Sequence, residues 1–331
     1  MTCSRAPTRS TGSTRPTRPS SRVRWPGASS PTTDWRRPSG RCGIILRMKR
    51  KLIHFAILPA LALVLAGCTL RQAVARSSAA VLDDMIAALN AEPDPGHARE
   101  ATASLLVMIE GFVRADPGNA RLRRSAAQAY GGFAFGFLEK EEPARARRLY
   151  LRGRDHGLSA LGLASGAKET AFRAALGHVG RDRLALLFWT AYCWSGWINM
   201  SRQDPDAVAD LPRVEAMMAR ARLVDPGYFH GGPELFFGVY WGSRSRLMGG
   251  DPKKAKAAFA RAVSASKGRF LMAKLLFARH FAVQAQDKKL FTRLLGEIEK
   301  APEGLLPAQA LANALARRRA RELRERMEEL F

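Results

Sequence analysis

The sequence predicts an all-α protein, a stack of degenerate helical hairpins wound into an α-α superhelix. Three observations predict it. From Arg71 onward apolar residues recur at helical spacing, with short breaks and no convincing alternating strand pattern. Asp-Pro pairs punctuate the chain at Asp116-Pro117, Asp204-Pro205, Asp225-Pro226 and Asp251-Pro252, with Glu142-Pro143 as a variant. Proline suits a first helical turn and aspartate an N-cap, so each pair is expected to close one helix and open another. Finally, Ala146, Tyr150 and Gly153 follow Pro143 at the same offsets as Ala255, Phe259 and Ala262 follow Pro252.

The first 68 of the 331 residues stand apart. Residues 1–47 are mostly Ser, Thr, Pro and Arg with few aliphatic residues, too little apolar surface to offset chain entropy. They are expected to be disordered, an upstream stretch ahead of the true start at Met48. Lys49, Arg50 and Lys51 then form a positive n-region, and Ile53 to Leu65 an apolar h-region of 13 residues. Leu65-Ala66-Gly67-Cys68 follows and resembles a bacterial lipobox, which makes 48–67 a lipoprotein signal peptide and Cys68 the lipidated N-terminus. A retained signal anchor is the competing reading. It is disfavoured because the apolar run falls short of the roughly 20 residues that a span needs. The mature domain is then 68–331, held on a membrane, facing the periplasm and, by expectation, on the outer membrane.

Cys193 is the one cysteine left in the mature body, so neither a disulfide nor a zinc cluster is expected there. No cofactor and no metal is predicted. Of the formal net charge of +25, ten Arg and one Asp belong to 1–47 and three basic residues to 48–67, which leaves +13 for the mature chain. A basic chain invites a nucleic-acid reading. No recognition motif supports it, and an exported lipoprotein meets no genome; a basic surface near anionic headgroups accounts for the charge better.

In chain order, Val81, Leu82, Met85, Ile86 and Leu89 make the first stripe, ended by Pro93 and Pro95. Leu105, Leu106, Ile109 and Phe112 make the second, which stops at Asp116-Pro117-Gly118. Leu184 to Met200, LALLFWTAYCWSGWINM, is apolar all round and is therefore expected to be a central helix, covered on every side. Phe270 to Val283 and Leu290 to Ile298 form a later pair. Pro307 starts a last helix whose interleaved Arg and Glu suit an exposed face.

Three stretches mix aromatics with glycines although glycine costs about 1 kcal/mol inside a helix: Tyr130 to Phe137, Leu184 to Met200, and Leu235 to Gly242. For each residue alone, core packing with close helix contact explains the mixture. As a set they suggest an apolar groove with Tyr130, Phe133, Phe137, Trp189, Tyr192, Trp197, Phe236, Tyr240 and Trp241 as lining candidates and a hydrophobic small molecule as ligand.

No catalytic constellation can be assembled. GxSxG, HExxH, CxxC and a phosphate loop are all missing from the sequence; Gly162 to Lys168 has the wrong glycine spacing. His230-Gly231-Gly232 reads as a turn between helices. His97, His156, His178 and His280 have no partners in sequence. An enzyme is the weakest class.

The small-x3-aromatic-x2-small spacing resembles the second helix of a tetratricopeptide repeat, in which the first helices line the concave side. Ala221 with Pro226 five later matches the end of that motif, and Pro117 followed by Ala126, Ala127 and Tyr130 the start of the next. Phe112 to Glu139, Ala144 to Leu161, Leu186 to Ser201 and Ala209 to Gly238 together resemble the TatT component family of TRAP (tripartite ATP-independent periplasmic) transporters. The resemblance covers nearly all of the mature chain and includes the lipobox, but not 1–47. It implies a periplasmic lipoprotein of tetratricopeptide-like fold, a homotrimer, and association with the solute-binding P subunit. It supplies no catalytic residue. The leading expectation is an accessory transport protein that binds or passes on an apolar ligand; the alternative is a repeat scaffold for envelope protein assembly, gripping a peptide on its concave side.

Overall fold

Helix follows helix through residues 72–331, the part of the chain that the computed structural model describes, and no strand occurs among the described residues. The proposed signal peptide, Cys68 and 1–47 lie outside them. Helix α1 spans 72–91. It is followed by α2 (Pro95–Ala115), α3 (Ala120–Phe133), α4 (Pro143–Leu161), α5 (Glu169–Gly177), α6 (Leu184–Met200), α7 (Pro205–Ala209) and α8 (Leu211–Val224). Then come α9 (Tyr228–Gly242), α10 (Pro252–Ala265), α11 (Leu271–Phe277), α12 (Lys288–Glu299), α13 (Ala310–Glu325) and α14 (Met327–Leu330). Single π turns extend α3 (Ala134–Leu138) and α11 (Ala278–Ala282).

The punctuation works largely as expected. Asp204 and Asp251 cap α7 and α10 by accepting from the backbone N–H of Asp206 and Lys254, with proline in the first turn. Asp116 and Asp225 differ. They end α2 and α8, and α3 takes its cap from Asn119, whose side chain accepts from Arg121 and Leu122. Here Pro-Gly inserts a turn between the aspartate and the next helix, so the aspartate is too far upstream to cap it. In α1 the buried line is Ala75, Ala79, Leu82 and Ile86, whereas Val81 is 57% exposed. One residue is a rotation of about 100°, enough to carry Val81 off the stripe.

The aromatic–small spacings fall on buried ground. Ala146, Tyr150, Ala255, Phe259 and Ala262 are all at most 1% exposed, and Gly153 is buried with them. Helices α4 and α6 lie antiparallel in close contact: a Cβ on Gly153 would stand 2.6 Å from Cys193 Sγ, Gly157 faces Thr190, and Gly196 faces the ring of Tyr150. Helices α9 and α10 repeat the device, with Gly238 under the ring of Phe259 and Gly242 against Ala255. Each glycine removes the side chain that would hold the axes apart, so the large partner fills the gap and dispersion contacts multiply.

Helix α6 is the centre of the second of two apolar clusters: Leu186, Leu187, Phe188, Ala191 and Trp194 are buried, and α3, α4 and α8 pack around it. The C-terminal helix α13 packs on α2, α11 and α12, which ties the two ends of the described chain together.

Candidate functional site

Eight of the nine lining candidates fall into three aromatic groups that share no ring–ring contact among the described residues, and the ninth, Trp197, stands apart. On α3, Tyr130 (2% exposed), Phe133 (3%) and Phe137 (7%) are packed. The Tyr130 hydroxyl donates to Glu110 Oε1 over 2.8 Å, and its ring stacks on His156. Phe133 lies 5.7 Å from Phe137 and under the guanidinium of Arg145. Burial opposes ionisation of Glu110, but hydrogen bonds from His156 and Tyr130, with the charges of His156 and Arg152, outweigh it and hold the carboxyl below its usual range. The polar part of this group lies between α2, α3 and α4, and His156 Nδ1 in it is buried with no hydrogen-bond partner among the described residues.

The second group joins α6 to the turn that opens α9. Trp189 is buried and touches Phe188, Tyr192 and Phe229, the last at 4.7 Å. Tyr192 is half-buried and meets Phe135 edge-on at 6.2 Å. Phe229, His230 and Gly231 have left-handed backbone (φ 47°, 58° and 81°), so His230-Gly231-Gly232 is a turn and the regular part of α9 begins after it. A Cβ on Gly231 would reach 2.9 Å from the backbone of Ala262, which explains glycine there.

The third group, half-buried, lies on α9 facing α8. Phe236 stacks on Tyr240 at 5.6 Å, and Trp241 stacks on Phe237 at 4.9 Å. Tyr240 donates to Glu215 over 2.7 Å and carries the Arg244 guanidinium 3.6 Å above its ring; Arg222 covers Phe237 at 4.4 Å. Trp197 stands apart with Arg154 over its ring at 5.2 Å. Three arginines thus shield aromatic faces that would otherwise be wetted, a cation–π arrangement.

Beside the second group is a cleft of about 240 Å³ where α1, α3, the start of α6 and the start of α9 meet. Asp83, Asn90, Arg124, Gln128, Ala185 and Tyr228 line it. Asp83 accepts from Arg121, Arg124 and Ser125. Burial raises its carboxyl, and those hydrogen bonds more than reverse the effect, leaving it below its usual range. Tyr228 packs edge-on against Phe188 at 5.1 Å, which joins this polar cleft to the aromatic group.

At the far side of the same group, beyond Phe135, the structure gathers residues that the sequence did not single out as a set. Tyr150 donates to Glu139 Oε1 over 2.8 Å, and Arg319 Nη2 donates to the carbonyls of Phe135 and Gly136 in the first π turn. These groups are up to 180 positions apart in sequence, and no spacing signal joins them.

The described residues contain no cluster of His, Cys, Asp or Glu that could hold a metal ion and no helix long and apolar enough to cross a membrane. A family model described as the TRAP transporter T-component matches residues 91–331. No curated protein matches the chain.

Proposed function

The chain belongs to the TRAP transporter T-component family, and from that premise we propose that it is a periplasmic lipoprotein, anchored through Cys68, that associates with the solute-binding P subunit of its transporter and passes an apolar ligand. The observation that carries the reading is the extent of the family match, which takes in 91–331 and so every helix from α2 onward. The family is that of a transport accessory, and no residue set described above has the geometry of a nucleophile with its base.

In this reading the lipid holds the helical domain at the membrane, the domain assembles as a homotrimer, and the half-open aromatics Tyr192, Trp197, Phe236, Tyr240 and Trp241 supply the apolar contact. Tyr130, Phe133, Phe137 and Trp189 support that surface from behind, since they are packed. The test is affinity purification of the tagged lipoprotein from membranes of cells that also produce the P subunit of the adjacent transport genes. Co-elution of the P subunit in a defined ratio is expected. A chain that elutes without it, in both ligand-free and ligand-supplied cells, overturns the proposal.

A further inference from the structure

The turn between α9 and α10 holds the most exposed large apolar side chain among the described residues. Leu247 is 98% exposed, and Met248 beside it 71%. The turn is closed by backbone hydrogen bonds: Met248 and Gly250 donate to the Ser245 carbonyl over 3.0 and 2.9 Å, Gly249 to that of Arg246 over 3.1 Å, and Asp251 to that of Trp241 over 3.1 Å. Gly249 takes a left-handed φ of 80°, and a Cβ on Gly250 would collide with the Arg244 carbonyl, so both positions call for glycine. A fixed backbone thus holds two apolar side chains out in water, where burial would favour them.

Basic residues flank the pair. Arg244, Arg246, Lys253, Lys254 and Lys256 stand against the single carboxylate of Asp251, which caps α10 and pairs with Lys254 at 3.5 Å. Arg246, Lys253 and Lys256 are exposed, with no salt bridge among the described residues. The turn also lies at the far end of the helical hairpins from the start of α1. Arg76 of α1 pairs with Asp116, just ahead of α3, at 3.0 Å. Helices α3 and α6 run the same way, both opposed to α4: Tyr130 meets His156 and Phe133 meets Arg145, while Thr190 faces Gly157 and Gly196 faces Tyr150. Helix α9 begins beside the first half of α6, where Tyr228 meets Phe188 at 5.1 Å. It ends past Tyr240, which reaches Glu215 in the first half of α8, and Asp210 at the head of α8 accepts from Trp194 in the second half of α6. An anchor on Cys68, four residues ahead of α1, would leave this turn facing away from the membrane.

We propose that Leu247 and Met248 form a docking knob for a protein partner that offers an apolar socket rimmed by carboxylates. Apolar contact at the centre with charge at the rim is the usual build of a protein interface, and a turn that is already rigid loses little freedom on binding. The basic flank selects an acidic face and speeds encounter with it. An anionic lipid surface would suit the same pair of features, but the turn lies at the end away from the proposed anchor, which favours a protein. The proposal rests on the transport-accessory reading above and adds the surface that holds the P subunit and the acidic character of the face it meets.

The test measures binding of the full chain, held in amphipol, to the purified P subunit of the adjacent transport genes by biolayer interferometry. Leu247→Ser with Met248→Ser should weaken affinity about tenfold or more, chiefly through faster dissociation. The thermal melt should not move, because both side chains are exposed. Arg246→Gln, Lys253→Gln and Lys256→Gln together should slow association about threefold or more and flatten its dependence on salt. Leu223→Ser, 75% exposed in the last turn of α8, should change nothing. Equal binding by wild type and the Leu247/Met248 double variant overturns the knob and leaves P-subunit association standing; no binding by wild type overturns both. Two other occupants are read alongside. A changed oligomer mass in the double variant, by light scattering, would make the turn a contact between copies of the chain. Loss of phosphatidylglycerol-vesicle binding when the double substitution is added to Cys68→Ser, with P-subunit affinity intact, would make it a membrane contact. Either result overturns the assignment to a protein partner.

Discussion

The sulfur of Cys193 on α6 is wedged against Gly153 of α4: a Cβ added at Gly153 would lie 2.6 Å from Sγ, and one added at Gly131 of α3 would lie 2.8 Å from it. The thiol also donates to the Ala127 carbonyl at 3.1 Å, so three helices close on one small side chain with no room to retreat. Gly153→Ala should therefore destabilise the protein by about 1–3 kcal/mol through overpacking, despite a helix-propensity gain of about 1 kcal/mol. Gly132→Ala is the contrast. Gly132 is exposed within α3 with no atom within 4 Å of its added Cβ, and the substitution should stabilise by up to about 1 kcal/mol. Denaturant unfolding of both variants checks the pair; equal effects would refute the wedge.

Burial pushes the Cys193 thiol well above the ordinary cysteine range, and the side chain is fully buried. The expected result is that iodoacetamide leaves the peptide containing Cys193 unmodified in the native protein at pH 8 and labels it fully in denaturant. Mass spectrometry of that peptide decides, and rapid native labelling would contradict the packing.

Aromatics of unequal burial should respond unequally to truncation. Trp189→Ala should cost about 3–5 kcal/mol, because Trp189 is 5% exposed and holds Phe188, Tyr192 and Phe229. Phe236→Ala and Trp241→Ala, half-buried on α9, should cost clearly less and chiefly change binding of a hydrophobic fluorescent probe. Losses of several kcal/mol at all three, with probe binding following only the folded fraction, would make the groove an ordinary core.

His280 gives the fold a predicted pH dependence. Burial first, then the charges of Arg279 and Arg202, hold the imidazole at about 3 against an ordinary 6.5. As pH falls through 6.5 the unfolded chain takes up a proton that the folded chain refuses, so this contribution to stability is present above that pH and is lost on acidification toward about 3. The slope should be at most about 1.4 kcal/mol per pH unit from this one group, and His280→Gln should flatten it. A stability profile from pH 4 to 7 identical in both proteins would rule the histidine out as its source.

Cys68→Ser tests the anchor. The proposed signal and lipobox predict that the variant leaves the membrane fraction, since attachment through acyl chains on Cys68 would be lost with the thiol. Mass spectrometry of membrane-extracted protein should find no intact peptide from Ala66 to Arg71.

Sequence alone determined the all-helical class, the bounds of α6, the position of several breaks and the burial of the repeated aromatic–small spacings. It could do so because these depend on local rules: helical periodicity, proline geometry and capping act within a few residues. The family also followed from sequence, since its motifs are carried by the same helices. Which aromatics face a neighbour and which keep open surface was decided by tertiary structure. Tyr130 and Tyr192 look alike as aromatic residues among glycines, yet one is bound to Glu110 across a helix interface and the other keeps part of its surface open between Phe135 and Trp189. Arg319 of α13 reaches the carbonyls of Phe135 and Gly136 in the first π turn, a contact between residues far apart in the chain. Charge–charge and desolvation effects depend on distance in space, and no periodicity along the chain encodes a distance between residues 139 and 319.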